Sequence, residues 1–471
     1  MKSHKQPIKA VLIGAGQRGT EVYGAYAIKY PDQLKFVAVA EPNSQRRSKF
    51  AAIHHIPFKD QFESWEPLLT KSPLGQAALI CTQDQQHTAP TIAALESGYD
   101  VLLEKPMATT PADCHLLVQT AEETGHQLHV CHVLRYTKHF QTMRDIVQSG
   151  KLGEVINISH RENVSWWHMA HSYVRGNWRK REETSPMILA KCCHDFDLFV
   201  WILGRQCKYL SSVGSLRHFR PENAPPGAPL RCLDGCPVSD TCQYYAPFIY
   251  IDLVPLWRNF AEGASGFQKH AVRSQLKAPK VIKSLNTILP ILKEISDYKG
   301  WPRSVVTSDP TPERVRQALI DGPYGRCVYH CDNDVVDHQV VSMWFEGDIS
   351  VTLTMHGHAH SETRTTRIEG TQATLISYFG LGGSWIETYE HRSGRKNHYN
   401  TSATNGTGHG GGDEQLMAAF IESIKQGNQT TARTTAKQAL ESHLMAFAAD
   451  QARLETKIIF MENYRNESKF S

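Results

Sequence analysis

Long apolar runs are missing from this chain of 471 residues. No segment reaches the ~18 consecutive apolar residues that a membrane helix needs. The N-terminus, MKSHKQPIKAVLIGAG, passes from a short polar lead straight into a strand-like run. It shows neither the apolar core nor the small-residue cleavage site of a secretory leader. Blocks of one charge are missing too: 51 basic residues face 47 acidic ones, for a net charge of +4. A polycation is excluded, so a nucleic-acid partner is not expected. Internal repeats and low-complexity tracts are also lacking. The expectation is a cytoplasmic protein with neither membrane nor nucleic-acid partner. A hydrophobic fraction of 41% over this length is enough for two or three domains.

Short strand-like runs alternate with helical segments from the start. Lys9–Ile13, Phe36–Ala40, Ala77–Ile80, Tyr99–Leu103 and Gln127–Val133 read as strands. Between them, Thr20–Lys29, Pro90–Ser97 and Pro111–Thr124 read as helices. Such alternation means a parallel sheet covered on both faces. From about residue 135 the pattern changes to a helix over Phe140–Gln148 and a strand over Val155–Arg161. Hairpin-like alternation follows at Val340–Met355 around Glu346-Gly347-Asp348, and again at Arg364–Ile376 around Glu369-Gly370. Helices over Asp413–Lys425 and Thr435–Leu454 close the chain. The fold class is therefore α/β: a Rossmann dinucleotide-binding domain over 1–134, then an α+β domain over 135–471 with a large, open, mainly antiparallel sheet. Residues 215–325, rich in Pro and Cys and basic at 268–283, read as an insertion with little regular structure early on.

Gly14-Ala-Gly16-Gln17-Arg18-Gly19 follows the first strand and opens a helix, and Glu41 ends the next strand. In that context the glycines mark a dinucleotide site. Gly14 allows the tight turn, Gly16 lets backbone approach a pyrophosphate, and Gly19 lets helix and strand pack closely, with Gln17 and Arg18 in the same turn. Free N–H groups at the helix start favour phosphate. A carboxylate at Glu41 binds ribose hydroxyls and repels a 2′-phosphate, which favours NAD over NADP. Arg46 and Arg47 would suit that phosphate; the alternative for them is the solvated face of a helix.

These residues, with ICTQDQQHTAPTIAALESGYDVLLEKPMATT from Ile80 and HDFDLFVWILG from His194, resemble the Gfo/Idh/MocA oxidoreductases. That family includes glucose–fructose oxidoreductase and inositol dehydrogenase. The likeness spans most of the chain outside about 215–325, and Glu104-Lys105-Pro106 is its most specific motif. The resemblance implies that Lys105 lies beside the nicotinamide and the substrate hydroxyl, with Glu104 adjoining, and that Thr82 and His87 line the nicotinamide-ribose pocket. It also implies substrate contacts at Arg135 and Tyr136, where the second domain begins.

The family's D-x-G-x-H-x-x-D segment falls on Ala190–Asp197, within ILAKCCHDFDLF. His194 and Asp197 match its last two members; Ala190 stands where the leading Asp would be, with Lys191 beside the gap. On a helix, Lys191, His194 and Asp195 share a face. His194 is then the proton acceptor, with Asp195 or Asp197 fixing its tautomer and Lys191 binding a substrate oxygen or anion. The adjacent Cys192 and Cys193 read as small wall residues rather than metal ligands or a nucleophile. A purely structural helix start is the plain alternative.

Trp166, Trp167, His168 and Arg175 lie in a segment dense in aromatics, where stacking on sugar rings and binding of hydroxyls or carboxylates are expected; an aromatic loop core is the alternative. His409, in the loop Thr407–Asp413 leading to a helix N-cap, is a further substrate candidate, with Asp332, Asp334, Asp337 and His338. Cys232, Cys236 and Cys242 space thiols as C-x3-C-x5-C, and Cys327 and Cys331 add C-x3-C at the far end of the insertion. A structural zinc site, or an iron–sulfur cluster, would tie such a loop down; free thiols are the alternative.

The expected function is an NAD-dependent dehydrogenase acting on a secondary hydroxyl of a sugar, glycoside, polyol or sugar acid, as a homodimer or homotetramer. Two alternatives stand beside it. One is a redox-neutral NAD-dependent glycosidase that oxidises, eliminates and reduces. The other is a non-enzymatic NAD-binding sensor or partner protein.

Overall fold

The computed structural model describes residues 6–263, 266–278, 295, 297–380, 382–403, 408–427 and 434–469. Thr407 and the 279–283 end of the basic stretch, both singled out above, lie outside the described residues.

Six parallel strands form the first sheet: β1 (Ile8–Ile13), β2 (Leu34–Ala40), β3 (Gln61–Phe62), β4 (Ala77–Ile80), β5 (Asp100–Leu103) and β6 (Leu128–Val130). Their order is β3-β2-β1-β4-β5-β6. The chain reverses direction across the sheet at β1/β4, and the crevice at that switch point is where such sheets take a ligand. Every residue of β4 is buried, as a strand covered by helices on both faces must be. Helix boundaries follow local chemistry. Pro111–Thr124 starts at Thr110, whose hydroxyl accepts the Asp113 N–H at 3.1 Å, and stops at Gly125 with φ +72°.

The second sheet has nine strands. They are β7 (Val155–Ser165), β8 (Cys207–Ser215), β9 (His338–Phe345), β10 (Ile349–Ala359), β11 (Thr363–Gly370), β12 (Ala373–Gly380), β13 (Gly383–Glu390), β14 (Lys396–Asn400) and β15 (Ile459–Phe460). Their order is β14-β13-β12-β11-β7-β10-β9-β8-β15. Only β7 and β10 run parallel; the other pairs are antiparallel. Burial alternates along β10, so one face meets the core and the other looks outward. The inner face is covered by helix Met187–Leu203, which packs on helix Ala436–Glu455. Met187–Leu203 is buried along nearly its whole length, because its apolar residues pack on the sheet and its charged side chains are paired.

Several local expectations shift. The fifth strand stops at Val130, because Val133–Tyr136 winds into a 3-10 turn. The helix after the glycine loop begins as a π-helical turn over Arg18–Gly24 before Ala25–Lys29. Asp413 is not an N-cap: Gly411, with φ +84°, takes that place, and Asp413 lies inside the first turn. The insertion is irregular from Leu216 to Tyr245 apart from a short 3-10 turn. Beyond that it carries helices at Ala246–Tyr250, Val254–Gly263, Gly266–Lys277, Arg303–Val306 and Pro312–Asp321, around an apolar cluster of its own. Among the described residues no helix is long and apolar enough to cross a membrane.

The last long helix is sewn to the first sheet at its start: Val130 N–H donates to Thr434 O at 2.8 Å, and His129 bridges Thr435. Thr435 and Gln438 form a reciprocal cap there. Thr435→Ala is expected to cost about 1 kcal/mol, read as a lower urea midpoint at unchanged slope.

Candidate functional site

The C-terminal ends of β1, β4, β5 and β6 deliver Gly14, Thr82, Lys105 and His132 to one side of the first sheet. Gly14 has φ +94°, and a Cβ there would lie 2.6 Å from Cys81 O. A Cβ on Gly19 would collide with Gly14 O and the Leu12 side chain, so this glycine serves packing of helix on strand. Gly16 differs, because its missing Cβ faces nothing within 4 Å. The backbone there is open to a ligand while its neighbours are closed, the arrangement a pyrophosphate requires.

Glu41 follows β2 beside this turn. Its carboxylate accepts the Ala15 N–H at 2.8 Å and the Asn43 N–H at 3.0 Å. The Arg47 guanidinium turns back to Glu41 O at 2.6 Å and to Glu63 at 3.1 Å, whereas Arg46 is exposed. Gln17 is exposed and reaches only Glu21, at 3.4 Å.

Arg18 turns away from the open glycine. Its Nε donates to Glu104 Oε1 at 2.6 Å and its Nη2 to Asp413 Oδ1 at 2.7 Å. Tyr23 O–H also donates to Glu104, at 2.5 Å. Burial pushes the Glu104 carboxyl up, but Arg18 and the Tyr23 bond outweigh it and hold the group below its ordinary value. Asp413 also takes His409 Nδ1 at 2.9 Å. One chain of polar contacts thus runs His409–Asp413–Arg18–Glu104, ending beside Lys105.

Lys105 Nζ donates to Ala190 O at 2.8 Å, in the first turn of helix Met187–Leu203. His194 lies one turn further on, and its Nδ1 is 3.3 Å from Nδ1 of His132. Burial first, then the Lys105 charge and His132, hold His194 well below the ordinary imidazole value. Burial, with Arg135 and Lys105, does the same to His132. Both rings are therefore neutral at neutral pH, and one must donate to the other. His132 Nε2 lies 3.8 Å from Asp197 Oδ1. A carboxylate on that side favours the proton on His132 Nε2. With the proton there, His132 Nδ1 accepts from His194 and His194 Nε2 keeps a free lone pair.

The other groups of this helix are paired elsewhere. Asp197 takes Arg135 Nε and Nη2, both at 2.6 Å. Asp195 does not orient His194: it takes His160 Nε2 at 2.9 Å and Arg364 Nε at 2.7 Å. Lys191 reaches Glu362 at 2.5 Å and Glu162 at 3.3 Å. Burial pushes the Glu162 carboxyl up to about 7, against the pull of Arg364 and Lys191. Cys192 and Cys193 are buried, and burial pushes the Cys193 thiol up to about 12, so neither is a ready nucleophile.

The remaining predicted residues spread out. His87 ties two strand-end loops together through Pro106 O at 2.7 Å and Thr82 O at 3.2 Å; the Thr82 hydroxyl donates to Gln86 O. Tyr136 is buried, its hydroxyl 3.2 Å from that of Thr434. Trp167 packs on Trp301 and Trp166 on Tyr244, both in the insertion, and His168 Nδ1 meets Glu362 at 3.0 Å. Arg175 also faces the insertion, donating to Arg326 O and Tyr244 O, each at 2.7 Å. Asp332 pairs with Arg179 and Arg326, Asp334 accepts Arg181 N–H, and Asp337 accepts the N–H groups of Arg217 and His218 and holds His338. Among the described residues, no three His, Cys, Asp or Glu side chains are gathered tightly enough to hold a metal ion as they stand. The missed residues are His132, Glu162, Glu362 and Arg364. The position of His132, just past a Rossmann strand end, was a usable signal; Glu162 and Arg364 are joined by strand pairing, and Glu362 lies just before β11.

Two family models match the chain. The oxidoreductase family's NAD-binding Rossmann fold (GFO_IDH_MocA) matches residues 8–132, and the GFO/IDH/MocA C-terminal domain matches 140–243. A 2,7-anhydro-N-acetylneuraminate hydratase of Escherichia coli is 24% identical over 45% of this chain and 54% of its own length. A D-glucoside 3-dehydrogenase of the same organism is 30% identical over 32% and 41%. The chain spans about half the length of the curated relatives it matches. A solved levoglucosan dehydrogenase, complexed with NADH and levoglucosan, superposes with a TM-score of 0.65 at 14% identity, over 97% of this chain and 99% of that one.

Gly14 and Gly16 separate by experiment. Gly16→Val should leave the thermal midpoint within about 2 °C but weaken dinucleotide binding at least about tenfold. Gly14→Ala, forced into a left-handed turn against Cys81, should lose about 1–3 kcal/mol of stability. Thermal denaturation and dinucleotide titration of both variants test this.

Proposed function

The chain belongs to the Gfo/Idh/MocA oxidoreductases, and from that premise we propose an NAD-dependent oxidoreductase acting on a secondary hydroxyl of a sugar, glycoside, polyol or sugar acid. The observation that carries this reading is the bond from Lys105 Nζ to Ala190 O. It brings the lysine at the end of β5 onto the helix of His194, across the mouth of the dinucleotide crevice. Bound NAD supplies the hydride acceptor at nicotinamide C4.

In the direction of oxidation, the substrate C–H gives up its hydride as the O–H bond yields its proton to His194 Nε2. The Lys105 ammonium donates a hydrogen bond to the oxygen as negative charge develops on it. His132 is a positioning residue: by accepting from His194 Nδ1 it keeps the lone pair on the outer nitrogen, with Asp197 behind it. Ala190 carries no carboxylate beside Lys105, and its carbonyl accepts the bond instead. Lys191, joined to Glu162 and Glu362, forms a charged wall on the second sheet that supports recognition of polar substrates.

NAD rather than NADP is supported by Glu41 beside the open glycine and by Arg47, whose guanidinium is already engaged. The reading takes 1–134 as the cofactor-binding unit and 135–471 as the substrate-binding and subunit-contact unit. It also includes a cytoplasmic location and a homodimer or homotetramer, supported by the outward sheet face around Tyr209, Trp344 and Thr352. A zinc at Cys232, Cys236 and Cys242 would be structural and has no part in this chemistry. The redox-neutral glycosidase is kept as a second reading by Ala190, where the family's acid is lacking.

Purified protein with NAD and a panel of free sugars, polyols and aryl glycosides tests both, following nicotinamide absorbance and aglycone release together. Net NADH with intact glycoside is expected. Aglycone release on trace NAD without net NADH would replace the first reading with the second, and NAD binding without any turnover would leave only a sensor. Lys105→Met should lower kcat/KM by roughly 10²–10⁴-fold with little change in dinucleotide affinity. Because the His194 value is lowered, its basic form persists into acid. The acid limb of kcat/KM for oxidation should therefore lie well below pH 6.5, the ordinary imidazole value; an inflection at that value would remove His194 as the base.

A further inference from the structure

The insertion enters and leaves the fold through one short ladder. Arg231 bridges Arg326, Cys232 N–H donates to Gly325 O at 2.9 Å, and Cys327 N–H donates to Leu230 O at 2.9 Å. That ladder sets Cys232 beside Cys327. The turns after it return Cys236 and Cys242 to the same place, with Cys242 N–H donating to Val238 O at 2.8 Å. All four thiols line a single cavity of about 10 Å³. Cys331 does not line it.

Arg175 lines the same cavity and is 0% exposed. Its guanidinium has two carbonyl acceptors, the Cys232 sulfur at 3.5 Å and the neutral Tyr250 side chain beside it, and its Nη1 has no partner within hydrogen-bond geometry. Among the described residues no acidic side chain pairs with it. A buried cation without a counter-charge is costly, and neutral thiols supply none. Thiolates would.

We propose that Cys232, Cys236, Cys242 and Cys327 bind one zinc ion as a tetrahedral tetrathiolate, with Arg175 as its charge-balancing partner. The four thiols give up four protons, and Zn(II) with four thiolates carries two net negative charges, one of which the guanidinium offsets. The unpartnered Nη1 N–H then has a sulfur to donate to. The thiols line the cavity without closing on it, and rotation about χ1 is the movement that gathers them. The cavity volume, room for about one water-sized sphere, suits a single ion and is too small for an iron–sulfur cube. The site locks the neck of a loop-rich insertion whose first part has little core.

The test uses the full chain, purified with reductant, and is independent of turnover on any sugar. Elemental analysis by plasma mass spectrometry should find about one zinc per chain. Cobalt(II) in its place should give a thiolate-to-metal charge-transfer band of tetrahedral type. Cys236→Ser and Cys242→Ser should lose the metal, and Cys331→Ser should keep it. Arg175→Met should weaken metal affinity about 10–100-fold. Zinc-free wild-type protein that gives no charge-transfer band with added cobalt would overturn the proposal. So would a disulfide among the four cysteines under reductant, or loss of metal in Cys331→Ser equal to that in Cys236→Ser.

Discussion

The ion pairs of Arg18 hold the site together. This one guanidinium joins the turn after β1, the end of β5 through Glu104, and the first turn of the C-terminal helices through Asp413. The glycine turn and the lysine beside Glu104 belong to the first sheet, while Asp413 arrives from the far end of the chain. Half-buried and paired on two sides, the guanidinium holds the buried Glu104 carboxylate beside Lys105. Removing the guanidinium would leave two buried carboxylates without their shared cation, which is why such a triad is costly to break.

Around that anchor the helix Met187–Leu203 sorts its polar groups. Of Lys191, His194, Asp195 and Asp197, only His194 faces the Lys105 side with an imidazole nitrogen available. Arg364, Arg135 and the two glutamates on Lys191 engage the rest. An amino acid sequence shows a helix with four ionisable groups close together; the fold turns them into one neutral imidazole and a set of ion pairs. The depressed value of His194 follows from that sorting, since burial and the cations Lys105 and Arg364 leave it no carboxylate of its own.

Five strands of the first sheet were legible because their signals are local; the two-residue edge strand β3 was not. Short buried strands, glycine at the turn, Thr110 before Pro111 and Gly125 at the helix end each act within a few residues. The antiparallel hairpin around Gly347 was legible for the same reason. The Arg364–Asp195 pair was not, because it joins residues far apart in sequence, and the insertion's helices and the hairpin strands β13 and β14 were also missed. Arg18 shows the limit most clearly. Its place in the glycine turn suggested a cofactor contact, yet it pairs with Glu104 and with Asp413, far along the chain. Trp167 and Arg175 read as sugar contacts by composition, and the packing of the insertion gave both to its own core.

That packing has a consequence for how such a chain could arise. The neck at Arg231 and Arg326 means that residues between them could be gained or lost in a single genetic event without parting any strand of the nine-stranded sheet. Trp167, buried against Trp301, and Arg175, buried beneath Tyr244, set a condition on that event. A descendant without the insertion would expose an indole and strand a guanidinium outside it. The segment 166–175 must therefore change in the same lineage, and the two regions are expected to have a shared evolutionary history.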